Sequence, residues 1–218
     1  MNLPIAETFH SIQGEGVWAG TPMFFVRLAG CNVGKYKRDD AVHSICTTVD
    51  GQEFLCDTDY HRSESIALED FVKQLVPEPR ICITGGEPFL HGELLEQLIL
   101  RWPQLNQEKN FHIETSGTLP LPAWVGSLHN VWITCCPKQG IVIPGSWLVD
   151  EWKFLVGPGF RDGIIEEIVG ESDAPVFLQP INTVTDVDTA NLAHCVEILQ
   201  KHPRWRLSPQ LHKFVHLR

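Results

Sequence analysis

The chain has 218 residues, of which 43% are apolar, and its formal net charge is −10. This length is enough for one large hydrophobic core, and no segment resembles a linker, so we expect a single domain spanning 1–218. Nucleic acids and anionic membranes are bound by clustered Lys and Arg, so the negative charge argues against either as the main partner. The one basic cluster, Lys35-Tyr36-Lys37-Arg38, is short and is followed at once by two aspartates.

The seven cysteines are expected to be metal ligands or buried thiols rather than disulfides. The longest apolar stretches are only strand-sized, so no transmembrane helix is predicted. The N-terminal sequence Met1-Asn2-Leu3-Pro4-Ile5 lacks the basic flank and the apolar run of a secretion signal. We therefore expect a cytoplasmic protein, whose thiols stay reduced.

Apolar, β-rich runs alternate with amphipathic segments along most of the chain. Strands are predicted at 23–28, 80–84, 110–114, 130–135, 151–156, 175–179 and 204–208. Helices are predicted at 66–76, 91–101, 161–169 and 187–201. Ser65 is the expected N-cap of the first helix, and Asp186 or Asp188 that of the last. The alternation predicts a mainly parallel sheet, either doubly wound or curled toward a barrel, with its ligand site at the carboxyl ends of the strands.

The stretch 29–60 is too long and too polar for an ordinary connection, which is typical of a functional loop. It contains three cysteines: Cys31, Cys46 and Cys56. Fourteen residues separate the first two and nine separate the last two. Three thiolates can hold an iron–sulfur cluster and leave its fourth iron open to a ligand. Two other interpretations remain: a zinc site completed by His43 or His61, and three unrelated buried thiols.

A glycine pair follows the next predicted strand, in the sequence Thr84-Gly85-Gly86-Glu87-Pro88. Paired glycines after a strand let a ligand approach the backbone closely, and Glu87 can accept hydrogen bonds from an amine. Alone, Gly-Gly usually marks a turn. Its position after the first strand beyond the cysteine loop favours a binding role.

These two motifs together resemble the radical S-adenosylmethionine superfamily, in which the open iron of the cluster binds the amine and carboxylate of the cofactor's methionine moiety. Six further segments narrow the resemblance to the 7-carboxy-7-deazaguanine synthase family. They are ETFHSIQGEG at 7–16, FVRLAGCN at 25–32, CDTDY at 56–60, ETSG at 114–117, PK at 137–138 and SPQLHK at 208–213. Together they cover nearly the whole chain, and SIQGEG and SPQLHK are the most specific of them.

The chain departs from the superfamily pattern at several positions. The compact spacing of the superfamily is C-x₃-C-x₂-C, whereas both gaps are longer here, and Cys46 is the only cysteine between the other two. Leu55 stands where the superfamily usually has an aromatic residue. Cys136 stands where the family usually has Ser before Pro-Lys. For Cys135 and Cys136 a strand-end thiol is the first interpretation, and contact with the bound cofactor is the second.

The resemblance implies an α/β fold, a partial (β/α)6-like radical SAM barrel with mainly parallel strands, and a cluster-binding loop expanded at about 29–60. It implies a 4Fe–4S cluster, S-adenosylmethionine and Mg²⁺ as cofactors. The implied cluster ligands are Cys31, Cys46 and Cys56, and the implied magnesium ligand is Thr58. The implied substrate residues are Ile12, Gln13, Gly14, Glu15, Arg27, Gly85, His212 and Arg218. The implied S-adenosylmethionine residues are Gly86, Glu87, Glu114, Ser116, Cys136, Lys138 and Gln179.

Several of these residues suit a flat, anionic heterocycle on their own chemistry. Gln13 and Glu15 offer an amide and a carboxylate to the edge of a pterin-like ring, and Glu15 fits the paired N–H donors of a 2-amino-4-oxo ring. Arg27 can hold a substrate carboxylate with a bidentate pair. The alternatives are a solvated turn for Gln13 and Glu15, a structural ion pair for Arg27 and a surface histidine for His212.

The implied function is a ring contraction, in which 6-carboxy-5,6,7,8-tetrahydropterin becomes 7-carboxy-7-deazaguanine with loss of ammonia in queuosine and deazapurine biosynthesis. The cofactor carries the radical, so no catalytic side chain is expected. The implied partners are a flavodoxin or ferredoxin as electron donor and a second copy of the chain in a homodimer. The rival functions are a glycyl-radical activase, which SIQGEG and SPQLHK argue against, and a non-enzymatic zinc-binding module.

Overall fold

The computed structural model describes residues 1–36, 43–60, 62–102, 111–142, 148–215 and 217. Its strands are β1 (Asn2–Ile12), β2 (Pro22–Leu28), β3 (Ile45–Thr47), β4 (Glu53–Leu55), β5 (Glu64–Ala67), β6 (Ile81–Gly85), β7 (Phe111–Thr115), β8 (Val131–Cys135), β9 (Glu151–Val156), β10 (Val176–Pro180) and β11 (Arg206–Leu207). Its helices are α1 (Leu68–Leu75), α2 (Gly92–Arg101), α3 (Gly163–Val169), α4 (Thr189–Lys201) and α5 (Leu211–Phe214). Two 3-10 turns lie at Pro88–His91 and Ala123–Ser127.

One sheet organises these elements, and its strands follow the order β11-β10-β9-β8-β7-β6-β2-β1-β5. From β2 to β11 each neighbouring pair is parallel. β1 pairs antiparallel with β2 and with β5 at one edge of the sheet. The predicted fold class, α/β with a mainly parallel sheet, is confirmed. The carboxyl ends of the parallel strands therefore meet along one edge, where a ligand site is expected.

The two faces of the sheet have different partners. Ile81 and Ile83 of β6 join the large hydrophobic core with the buried residues of α1 to α4. Between them, Cys82 belongs to a separate cluster with Met23 and Phe25. Because successive side chains of a strand point to opposite faces, the helices cover one face and leave the other for residues outside the helical layer.

The predicted strands and the four longer helices are confirmed, with shifts of a few residues at their ends. The prediction of Ser65 as N-cap of α1 was wrong. Residues 64–67 form β5 instead, the N-cap residue is Ala67, and the hydroxyl of Ser65 accepts a hydrogen bond from Asn2 Nδ2 at 3.0 Å. Asp188 does cap α4, because its carboxylate accepts from the backbone amides of the first helical turn.

β1 and β5 were missed by the sequence prediction. β1 carries Pro4 and a polar second half that includes Thr8, His10 and Ser11, so it lacks a continuous alternation of apolar residues. Its pairing with strands on both sides, rather than its own composition, makes it extended. None of the helices in the described part of the chain has the length and apolarity needed to cross a membrane.

Candidate active site

The expanded cysteine loop folds partly as a β-hairpin. β3 and β4 pair antiparallel with Cys46 opposite Phe54. Gly51, in the turn between them, has a φ of 93°, which a residue without a side chain adopts easily. The hairpin folds the chain back on itself, and this brings the thiols of Cys46 and Cys56 within hydrogen-bonding distance. The gap of nine residues is therefore closed by local structure.

The third cysteine of the loop lies at the same place. Cys31 follows β2, and its sulfur accepts hydrogen bonds from the amides of Val33 and Gly34, both at 3.4 Å. All three cysteines line one cavity, which we call the cysteine cavity. Cys46 is buried, whereas Cys31 and Cys56 are partly exposed.

The three thiols differ in acidity. The hydrogen bond with Cys46 lowers the pKa of Cys56 to about 6, helped by Thr58 and opposed by burial. The same hydrogen bond, together with burial, raises the pKa of Cys46. Thiolates are good ligands for iron–sulfur clusters. Within the described ranges, no three His, Cys, Asp or Glu side chains converge closely enough to hold a single metal ion. The argument that an iron–sulfur cluster fits this site therefore depends on the three thiols that line one cavity.

The cysteine cavity gathers the residues that the sequence connected with the cofactor. Of the seven residues predicted for S-adenosylmethionine its lining includes all but Glu87, namely Gly86, Glu114, Ser116, Cys136, Lys138 and Gln179. They lie at or just after the carboxyl ends of β6, β7, β8 and β10, as a parallel sheet requires.

The glycine pair has no room for side chains. A Cβ on Gly85 would lie 2.3 Å from the carbonyl oxygen of Leu28, and its φ is 146°. A Cβ on Gly86 would lie 2.0 Å from the carbonyl oxygen of Gly30 and 2.5 Å from Cys31 Cβ. The close approach of this loop to the segment carrying Cys31 therefore requires glycine at both positions.

Glu87 lies beneath the cavity rather than on its surface. Its side chain is fully buried, and its carboxylate accepts hydrogen bonds from the amide of Phe89 at 3.1 Å, from Thr115 Oγ1 at 2.8 Å and from both the amide and the hydroxyl of Ser116 at 2.8 and 2.5 Å. This geometry does not favour the predicted contact between Glu87 and the amine of the cofactor, because donors of the protein already bond to the carboxylate. The carboxylate instead fixes the position of Ser116.

The segment after β8 connects the hairpin to the sheet. Lys138 Nζ donates to the carbonyl oxygen of Cys136 at 3.0 Å and contacts its sulfur at 2.9 Å. Thr48 forms a β-bridge with Lys138, and the amide of Gln139 donates to the carbonyl of Thr47 at 3.2 Å. Cys135 is buried in the core, whereas Cys136 lines the cavity, so the two neighbouring cysteines have different environments.

A second cavity adjoins the first, and we call it the polar cavity. Its lining includes the predicted substrate residues Ile12, Gln13, Gly14, Glu15, Arg27 and His212, together with Thr58. Six residues line both cavities: Glu15, Asp57, Thr84, Glu114, Gln210 and Lys213. Gly85, predicted for the substrate, lines only the cysteine cavity, and Arg218 and His61 lie outside the described residues.

The wall between the cavities includes residues 13–15, and the segment 13–18 crosses the open face of the sheet. Gln13 Nε2 donates to Glu114 Oε1 at 3.1 Å, and the amide of Val17 donates to Glu151 Oε2 at 2.8 Å. The Trp18 ring packs edge-on against His112, with 4.8 Å between ring centroids. The SIQGEG segment therefore contacts β7 and β9, far from the edge at which β1 joins the sheet.

Glu15 is the centre of a buried polar cluster on this wall. Its carboxylate pairs with Lys153 and accepts hydrogen bonds from Gln179 Nε2 at 3.0 Å and Gln210 Nε2 at 2.8 Å. Burial alone would raise the pKa of Glu15, but the charge and hydrogen bond of Lys153 outweigh it and lower the pKa to about 2. Glu15 is therefore an ionised acceptor at neutral pH, and the interpretation of a solvated turn was wrong.

Arg27 joins the polar cavity to the residues after Cys56. Its Nε donates to Glu7 Oε1 at 2.8 Å, and its Nη1 donates to Thr58 Oγ1 at 3.0 Å. The ion-pair interpretation of Arg27 is thus confirmed in its geometry, and a guanidinium has further donors for a ligand. Next to Thr58, Asp57 pairs with Lys213 Nζ at 3.1 Å.

The SPQLHK segment docks on Gly14. The amide of Leu211 donates to the carbonyl of Gly14 at 2.7 Å, and a Cβ on Gly14 would lie 2.2 Å from His212 Nδ1. Gln210, just before α5, adopts a φ of 50°, the left-handed region that non-glycine residues rarely occupy. The side-chain amide of Gln210 forms hydrogen bonds with Glu15 and Asn182, and these bonds explain the unusual conformation.

Three features of the site were missed in the sequence. The hairpin had a signal in Asp50-Gly51, a dipeptide typical of tight turns between strands. Lys153 had one too, because a lysine inside a buried strand needs a partner. Gln210 carried no signal beyond its place in SPQLHK, since its bond to Glu15 spans 195 positions.

Comparison with known proteins agrees with this geometry. No family model matches the chain. It is 34% identical over 216 residues to a 7-carboxy-7-deazaguanine synthase of Bacteroides thetaiotaomicron, covering 98% of both chains. It is also 34% identical over 227 residues to a protein of the same name from Synechocystis, covering 100% of this chain and 95% of the relative.

A solved structure gives the same result for the fold. The crystal structure of QueE from Escherichia coli superposes with a TM-score of 0.67 at 25% identity, covering 97% of this chain and 95% of that one. The resemblance read from the cysteine loop, GGEP, SIQGEG and SPQLHK is therefore confirmed. Identity above 30% over nearly the full length of its relatives places this chain in the family of 7-carboxy-7-deazaguanine synthases.

Proposed function

We propose that this chain converts 6-carboxy-5,6,7,8-tetrahydropterin to 7-carboxy-7-deazaguanine with loss of ammonia, in queuosine and deazapurine biosynthesis. The observation that carries the proposal is the pair of adjoining cavities. One is lined by three cysteines and six of the seven residues predicted for S-adenosylmethionine, and the other by six of the eight residues predicted for the pterin. A radical enzyme needs its cofactor and substrate side by side in this way.

Enzymes of this family use a 4Fe–4S cluster, S-adenosylmethionine and Mg²⁺. In this chain Cys31, Cys46 and Cys56 would hold the cluster, and Thr58 would supply an oxygen to Mg²⁺. When bound, the cluster and S-adenosylmethionine supply the one-electron chemistry that removes hydrogen from C6 of the pterin.

The residues around the cysteine cavity orient the cofactor. Gly85 and Gly86 expose backbone next to Cys31, and Ser116 is held in place by the buried carboxylate of Glu87. Gln179, at the end of β10, and Lys138, after β8, offer hydrogen-bond donors from the opposite side. Donors fixed by packing bind a polar cofactor in one orientation.

The residues around the polar cavity hold the substrate. The ionised Glu15 carboxylate accepts from the N–H groups of the pterin's 2-amino-4-oxo edge, and Gln13 adds an amide. Arg27 would bind the substrate carboxylate at the other end, next to the Thr58 oxygen that would be a ligand of Mg²⁺, and His212 would contact the ring. Fixing both ends of the ring would hold C6 in one position and restrict the access of water.

The proposal extends to partners and setting by family analogy. The chain acts in the cytoplasm as a homodimer, with a flavodoxin or ferredoxin as electron donor. Residues 1–218 form a single radical SAM domain, whose loop at 29–60 carries the β3–β4 hairpin. These points rest on the family and on the one-electron requirement of the chemistry.

The test is an anaerobic assay of the reconstituted chain with S-adenosylmethionine, Mg²⁺, dithionite and 6-carboxy-5,6,7,8-tetrahydropterin. We expect a brown protein with iron and sulfide, and 7-carboxy-7-deazaguanine detected by mass spectrometry. A brown protein that cleaves S-adenosylmethionine but forms no such product would contradict the ring contraction and favour a glycyl-radical activase. A colourless protein containing zinc would contradict the enzyme altogether.

A further inference from the structure

A buried lysine lies between two carboxylates on the wall that both cavities share. Lys153 is in the middle of β9, and only 5% of its side chain is exposed. Its ammonium pairs with Glu15 and lies 3.7 Å from Glu114 Oε1. Glu15 and Glu114 line both cavities, whereas Lys153 lines the cysteine cavity alone.

A carboxylate as buried as that of Glu15 needs a nearby cation to stay ionised. Burial raises the pKa of a carboxylic acid, and a second negative charge nearby raises it further. Gln179 and Gln210 supply hydrogen bonds to Glu15 but carry no charge. Lys153 carries a positive charge and pairs ionically with both carboxylates.

Other titratable groups face this cluster from every neighbouring element. They are Cys82 on β6, Glu114 on β7, Cys136 and Lys138 after β8, Glu151 on β9 and His212 on α5. Burial would lower the pKa of Lys153, but Glu114 and Glu15 raise it well above its usual value. The lysine is therefore charged throughout the neutral range. His212 stabilises the Glu15 charge too, as the smallest of the contributions.

The ionisation state of Glu15 decides what it can recognise. A carboxylate only accepts hydrogen bonds, whereas a carboxylic acid also presents an O–H donor. The 2-amino-4-oxo edge of a pterin presents N–H donors. The O–H group of a protonated Glu15 would face one of these N–H groups in a buried site, and neither donor would have an acceptor. Leaving such a group unsatisfied weakens binding strongly.

We propose that Lys153 is a positioning residue for substrate recognition, which keeps Glu15 ionised and holds Glu15 and Glu114 in place between the two cavities. This inference rests on the proposed function, because it takes the pterin edge as the ligand of Glu15. Lys153 acts through the carboxylates, and it also ties the wall between the cavities to β9.

The experiment compares Lys153→Met with Lys153→Arg in the reconstituted holoenzyme without reductant, so that no turnover occurs. Calorimetry gives the affinity for 6-carboxy-5,6,7,8-tetrahydropterin from pH 6 to pH 8. For Lys153→Met we expect binding about 10- to 100-fold weaker, with a larger loss at pH 6 than at pH 8, because Glu15 then takes up a proton. Lys153→Arg keeps the cation and should bind within a few-fold of wild type.

Steady-state kinetics give a second readout. In Lys153→Met the KM for the pterin should rise far more than kcat falls. Lys73→Met, at an exposed ion pair on α1, is the matched control and should leave both quantities unchanged. A Lys153→Met enzyme with wild-type affinity at every pH would contradict the inference.

Two further outcomes are separable. A wild-type holoenzyme that does not bind the pterin would contradict the proposed function rather than the role of Lys153. If Lys153→Met does not fold, Lys153→Met/Glu114→Gln restores the net charge of the cluster and should recover a cooperative unfolding transition. Its pterin affinity should still fall toward pH 6, and a wild-type, pH-independent affinity in it would contradict the inference.

Discussion

At the scale of single residues, Glu87 shows how a residue of a binding motif can act by positioning other side chains rather than by lining the site. Its place in GGEP indicates a contact with the cofactor, but the fold buries it and surrounds it with donors from Phe89, Thr115 and Ser116. Those donors come from β7 and from the turn after β6, and strand order alone brings them together. A sequence motif gives the residue type, whereas the direction of its side chain depends on tertiary structure.

Glu87→Gln tests this positioning role. The amide keeps one acceptor oxygen but replaces the other with a donor, which faces the N–H or O–H groups that now bond to the carboxylate. We expect the free energy of unfolding to fall by about 2 kcal/mol, since bonds to a charged buried group are strong. Chemical denaturation measures it, with Glu93→Gln on the exposed side of α2 as control. Equal stability of Glu87→Gln and wild type would contradict the role.

At the scale of elements, the β3–β4 hairpin explains why a long gap between cysteines is compatible with one cluster. The gap matters less than where its ends lie, and antiparallel pairing returns Cys56 to Cys46. The bridge between Thr48 and Lys138 then attaches the hairpin to the segment after β8. Any insertion that folds as a closed hairpin would preserve the same arrangement of thiols.

Gly51→Ala tests the contribution of the turn. Gly51 has a φ of 93° and no neighbour near its Cβ direction, so the expected cost is backbone strain alone, about 1 kcal/mol. A strained hairpin should release iron faster when a chelator is added to the reconstituted protein. Gly163→Ala, in α3 and equally free of neighbours, is the control and should keep wild-type iron release. Identical release from the Gly51 variant would show that the turn is unimportant for the cluster.

At the scale of the whole molecule, the site is where a parallel sheet places it, and that much was predictable. Arg27, Glu114 and Gln179 follow or end apolar strands, so their meeting at one edge could be read from the sequence. The crossing of the open face by residues 13–18 could not be predicted from the sequence. It depends on long-range pairs such as Glu15 with Lys153, which lie 138 positions apart and leave no local pattern.

The division into two cavities follows from that crossing. The segment carrying Glu15 separates the cysteines from Arg27 and His212, yet leaves both cavities open to the same carboxylates. The fold therefore provides neighbouring positions for a cofactor and a substrate before either binds. Family membership identifies the reaction class, and the crossing segment shows which side chains of this chain divide the space.

The central claim is that Cys31, Cys46 and Cys56 together hold one cluster, and Cys46 is the member whose spacing is least like that of the superfamily. Iron and sulfide analysis of Cys46→Ala after anaerobic reconstitution tests it most directly, with Cys195→Ala, buried on α4, as control. Wild type and the control should bind about four irons and four sulfides per chain and turn brown. The account predicts that Cys46→Ala loses this cluster. A Cys46→Ala protein that keeps a stable 4Fe–4S cluster would contradict it.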